Sequence, residues 1–169
     1  MIVHQNKAFW RPMAAEDLQT VHEIATEIHT SLPERPEVFR EKFSLFPKGC
    51  LILHSDGGAA GYAISHPWLL NSVPPLDAFL NALPAAANCL YLHDAAIRPS
   101  GRGQSASATL AAQLRTIATQ ENLKNLALIS VYGTDRLWSR FGFSAVQNPD
   151  LAEKLASYGS TAKYMVAPV

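Results

Sequence analysis

Residues 89–107 read CLYLHDAAIRPSGRGQSAS, and the fold turns on how this stretch divides. CLYLHDAAI reads as a strand, and from Ser107 onward Leu110, Ala111, Leu114, Ile117 and Ala118 mark one face of a helix ending near Asn122. Strand, tight loop and helix in that order bring backbone N–H groups together at a helix start, where phosphate oxygens can be bound. Two arginines compete to open such a loop. Arg98 fits an R-x-x-G-x-G pattern ending at Gly103, but it lies against the strand and Pro99 has no N–H to give. Arg102-Gly103-Gln104-Ser105-Ala106-Ser107 runs straight into the helix, so Arg102 is the arginine this geometry requires.

Working outward, Leu18, Val21, Ile24, Ala25 and Ile28 repeat at helical spacing behind the acidic pair Glu16-Asp17, which suits a helix N-terminus. A second helix begins at Pro36, turns Phe39, Phe43 and Phe46 inward and stops at Pro47. CLILH, SDGG and AAGYAISH form a hairpin. The stretch 67–88 holds four prolines and is irregular, with a short helix expected over Leu76 to Leu83. LALISV is apolar enough for a strand covered on both faces. TDRLWSRFGF reads as a short helix capped by Thr134 and ended by Gly142. Short strands near Ala145 and over Lys163 to Val166 close the chain, and no repeat or linker divides its 169 residues, so one domain over 1–169 is expected.

Composition narrows the function. Fourteen basic residues balance fourteen acidic ones with no run of either sign, which leaves no footprint for a polyphosphate backbone and argues against a nucleic-acid partner. Cys50 and Cys89 have no C-x-x-C spacing, so neither a zinc site nor a disulfide is indicated and both read as buried thiols of a cytoplasmic protein. MIVHQNKAFWRPMAAEDL lacks an apolar core with a cleavage site, so neither secretion nor a membrane partner is expected.

With these elements in order, the sequence resembles the GNAT superfamily of acyl-coenzyme A dependent N-acetyltransferases. That family continues a strand ending L-A-V with x-P-x-x-R-G-x-G-x-G/A, and here Ala95-Ala96-Ile97, Pro99, Arg102-Gly103, Ser105 and Ser107 take those positions. WSRFGF stands for the family's Y-x-x-x-G-F element. The resemblance implies an α/β fold, a mixed central sheet of about six to seven strands with helices on both faces, splayed between the strand at 89–97 and the strand at 126–131. It also implies acetyl-CoA as cofactor, held by Arg102, Gly103, Gln104, Ser105, Ala106 and Ser107 and by the free amides of Ala95 and Ile97. Ser105 and Ser107 replace the family's small Gly or Ala, and a serine hydroxyl can cap the helix instead. Gly103 to Ser107 also approaches the G-x-S-x-G elbow of serine hydrolases, but it lacks the last glycine and sits too far past Ile97.

Acyl transfer to an amine needs a neutral amine, a stabilised oxyanion and a proton for the leaving thiolate. One branch of the family carries a catalytic histidine two positions before the amide equivalent to Ala95, which places His93 first as base. Asp94 is the second candidate, expected on the opposite face if the strand alternates regularly. The family's acid tyrosine is replaced by Trp138, whose indole cannot supply a proton, leaving Tyr132 as the nearby phenol. Substrate-side candidates are Phe39 and Phe43 on the second helix, with His66 and Trp68 at the start of the proline-rich loop. The expected activity is transfer of an acetyl group from acetyl-CoA to a primary amine of a small molecule or peptide by direct attack, with no metal. The alternative is a catalytically impaired acyl-CoA-binding protein with a sensory or regulatory role. A homodimer is left open.

Overall fold

The computed structural model describes residues 7–103 and 105–169. Seven strands form one sheet in the order β1-β2-β3-β4-β5-β7-β6: β1 Phe9–Pro12, β2 Cys50–Ser55, β3 Gly58–Trp68, β4 Cys89–Ile97, β5 Asn125–Ser130, β6 Ser144–Ala145 and β7 Lys163–Pro168. Every pairing is antiparallel except β4 with β5. That parallel pair needs a crossover, and α3 (Ala106–Gln120) supplies it. Helices α1 (Leu18–Ile28) and α2 (Pro36–Leu45) cover the opposite face, α4 (Asp135–Ser139) precedes β6, and α5 (Ala152–Ser157) precedes β7.

The apolar spacing read from the sequence does the packing. Leu110 and Leu114 of α3 bury against Leu90, Leu92 and Leu126, while Val21 and Ile24 of α1 join Phe39, Tyr62 and Ile64 on the other side. Asp17 closes the start of α1, taking two hydrogen bonds from Arg11 at 2.7 and 2.8 Å and one from the Ala14 N–H. At Gly49 the chain passes so close to β3 that an added Cβ would overlap Ser65 O and stand 2.6 Å from Phe46 Cδ1. Gly49→Ala should therefore cost about 1–3 kcal/mol, read as a lower urea midpoint at unchanged slope.

Three expectations need correcting. No helix forms over 76–83, because Asp77 and Asn81 adopt left-handed conformations (φ 52° and 67°) that a helix cannot contain. The loop is instead pinned to α2: Arg35 binds the Asp77 carboxylate at 3.0 Å, Glu41 accepts the N–H groups of Leu80 and Asn81, and buried Lys42 donates to Ala78 O at 3.1 Å. Thr134 does not cap α4 with its side chain; its hydroxyl turns back to Val131 O. Ser105 does not cap α3 through its hydroxyl either, since its left-handed backbone (φ 58°) leaves the carbonyl to accept from Thr109. Both cysteines are buried, and burial pushes each thiol up to about 12. Among the described residues no helix is long and apolar enough to cross a membrane, and no three His, Cys, Asp or Glu side chains group as a metal site.

Candidate active site

The parallel pairing of β4 and β5 runs only from Leu90 opposite Leu126 to Leu92 opposite Leu128; beyond it the strands part. Arg98 donates its N–H to Ala60 O on β3, so, with strand N–H groups alternating, those of Ala95 and Ile97 turn toward the opening. A cleft of about 400 Å³ occupies it. One side is lined by Arg102, Ser107, Leu110 and Trp138, the other by His29, Glu34, His93 and Asp94.

The two arginines have separate duties. Arg98 grips Glu27 of α1 through two hydrogen bonds at 2.7 and 2.9 Å and donates a third to Ala59 O. Arg102 lines the cleft, its Nε donating to Ile97 O at 3.0 Å. Gly103 (φ 75°) and Ser105 bend the loop, and open space surrounds the position of a Cβ on Gly103. Ala106 is buried, and its carbonyl accepts from Trp10 Nε1. Gln104 lies outside the described residues.

The register of β3 and β4 steps from Leu92 opposite Ser65 to Asp94 opposite Ile64, which makes His93 an extra residue, a β-bulge. Leu90, Leu92, Ala95 and Ile97 pack toward α3, whereas Tyr91, His93, Asp94 and Ala96 share the α1 face. The expectation that Asp94 faces away from His93 therefore fails, because the bulge breaks the alternation on which it rested.

Asp94 is the anchor of the site. It accepts a hydrogen bond from Tyr62 at 2.6 Å and pairs with His29 Nε2 at 2.8 Å. Burial, together with the Asp94 charge, holds the Tyr62 phenol well above its usual range, so it remains a donor. His29 sits just past the end of α1, and Ala95 O, 3.2 Å from Nε2, is a second acceptor. With two acceptors against it, Nε2 carries the hydrogen, and Nδ1 meets the Tyr132 hydroxyl at 3.2 Å. Burial pulls the His29 pKa down, but the hydrogen bond and charge of Asp94, with help from Ala95 O, outweigh it and the net shift is upward. Tyr132, 51% exposed and itself left-handed (φ 56°), stacks on His29 with centroids 5.8 Å apart.

Of the residues singled out from the sequence, the cleft gathers His93, Asp94, Ala95, Ile97, Arg102, Ser107 and Tyr132. It does not gather Phe39, His66 or Trp68. Phe39 is core, edge-on to Tyr62; His66 is buried beneath His93, and burial drives its pKa down to about 3; Trp68 packs edge-on to His66. Trp138 puts no phenol at the cleft and packs edge-on to Phe141 and Phe143. His29 and Glu34 escaped the sequence reading: one looks like an ordinary basic residue at a helix end, the other like loop charge.

An open mixed sheet parted between its two parallel strands, with an arginine-glycine loop running into the crossover helix, defines an acetyltransferase class of fold. The chain belongs to the acetyltransferase (GNAT) family, which it matches over residues 16–143. Its fold is similar to that of Ard1 from Thermoplasma volcanium (15% identity, TM-score 0.70, covering 96% of this chain and 98% of that one). It is also similar to the ribosomal-protein-S18-alanine N-acetyltransferase of Escherichia coli (15% identity, TM-score 0.65, 96% and 94% covered). A third likeness is to the GphF GNAT-like decarboxylase in complex with isobutyryl-CoA (12% identity, TM-score 0.73, 95% and 98% covered). At these identities the likeness is one of fold. No curated protein matches the sequence.

Proposed function

We infer that the chain is an acetyl-CoA dependent N-acetyltransferase, a single catalytic domain over 1–169 that acylates the primary amine of a small molecule or peptide by direct attack. The observation that carries this reading is the parting of β4 from β5 beside a hydrogen-bonded Asp94–His29–Tyr132 chain. The residues fit coenzyme A: the turned-in amides of Ala95 and Ile97 suit a pantetheine arm and an acyl carbonyl. The start of α3 with Arg102 suits a pyrophosphate.

Acetyl-CoA, when bound, would supply an activated thioester whose acetyl carbon exchanges its bond to sulfur for one to the amine nitrogen. Of the Ala95 and Ile97 N–H groups, the one that meets the acyl carbonyl would also bind the oxyanion. The ammonium proton passes to Nδ1 of neutral His29 through the Tyr132 hydroxyl that meets it, the resulting imidazolium being stabilised by Asp94 through Nε2. Tyr132 hands a proton to the leaving sulfur and recovers it from His29 Nδ1–H. The amine's second proton goes to solvent.

Thiol release from acetyl-CoA over a broad panel of amines tests the reading. Turnover dependent on an amine is expected, with Tyr132→Phe lowering kcat by about 10²-fold. Tight coenzyme A binding with no turnover on any amine would favour the acyl-CoA-binding alternative, to which the indole of Trp138 in place of a phenol lends weight.

A further inference from the structure

The cleft passes through the sheet, and its two halves differ. Toward α3 its walls belong to the cluster of Leu92, Leu110 and Leu128; toward α1 the walls are Leu32, Leu76, Ile129, Val131 and Tyr158, from a separate apolar cluster. Beneath this second half lies Glu34, its side chain only 5% exposed. Its Oε2 accepts from Asp77 N at 3.2 Å and stands 3.5 Å from His93 Nε2. Asp94 already has Tyr62 and His29 as partners, whereas the cations near Glu34 are engaged elsewhere: Lys42 on Ala78 O and Arg35 on Asp77.

His93 provides an independent sign. Its side chain is 1% exposed and lines the cleft, yet neither ring nitrogen has a hydrogen-bond partner among the described residues. Buried polar nitrogens are nearly always hydrogen-bonded. An alkylammonium offers three N–H donors and the charge that complements Glu34, and the apolar walls suit its body. A carboxylate beside the amine would instead meet Glu34 and Asp94, with those neighbouring cations already bound.

On the transferase reading above, we propose that the α1 half of the cleft selects a primary amine on an apolar body, with no carboxylate at the amine-bearing carbon, its ammonium held between Glu34 and His93. The amino acid that shares such a body is excluded by its charge.

Calorimetry on the full chain saturated with coenzyme A reads this without turnover, using 3-methylbutylamine, leucine and leucinamide, which share one side chain. The amine should bind at least tenfold tighter than leucine, leucinamide should recover most of the difference, and Glu34→Gln should weaken the amine by about 10- to 100-fold. Gln keeps the acceptor for Asp77 N, and an unchanged affinity for coenzyme A shows that the variant is folded. Equal binding of leucine and the amine overturns the proposal. So does an amine that fails to bind at millimolar concentration, or one that Glu34→Gln binds as well as the parent. Thiol release with the same three compounds is a separate readout: an amine that binds through Glu34 yet is never acetylated leaves this site standing and removes the transferase reading.

Discussion

His29→Ala should lower kcat by about 10²- to 10⁴-fold while leaving coenzyme A affinity nearly unchanged. The imidazole touches Asp94, Ala95 O and Tyr132, and none of these contacts involves the Arg102 loop. The pH dependence carries the sign. His29 must be neutral to accept a proton, and Asp94 raises its pKa against the pull of burial. The ascending limb of kcat/KM, corrected for ionisation of the amine, should therefore lie above the ordinary histidine range near 6.5. Asp94→Asn removes the opposing charge, so the limb should move to lower pH as activity falls. His93→Ala should act mainly on KM, because His93 touches Glu34 and His66 rather than the Asp94–Tyr132 chain. A profile in which His93→Ala abolishes the limb and His29→Ala keeps it would hand the role of base to His93.

Arg102→Ala should weaken coenzyme A by about 1–3 kcal/mol, the range for a lost charge-assisted contact, and Arg98→Ala should leave that affinity nearly unchanged. The contrast follows from partners rather than from spacing. Arg98 spends its donors on Glu27 and Ala59 O, tying β4 to α1 and β3, whereas Arg102, among the described residues, donates only from Nε to Ile97 O at the cleft. Equal losses for the two variants by calorimetry would show that the loop has been read in the wrong register.

The site was legible in part. The order of strand, loop and helix, the apolar faces of α1 and α3 and the choice of Arg102 depend on spacing and on the missing N–H of Pro99, which are local properties written in consecutive residues. The sequence by itself thus determined the order of β4, loop and α3 and the buried faces of α1 and α3, but not β1, α5 or the irregular course of 76–83. Only the tertiary structure decided which groups meet. Asp94 and His93 share a face because of one extra residue in the β3–β4 register, and a bulge depends on the partner strand. Phe39 and Trp68 have the aromatic character of a pocket wall, but Phe39 packs into the core against Tyr62 and half-buried Trp68 packs on His66. His29 meets Asp94 across 65 positions and Tyr132 across 103. Contacts at such separations leave no periodic trace along the chain, so only folding can bring them together and set the proton affinity on which the chemistry depends.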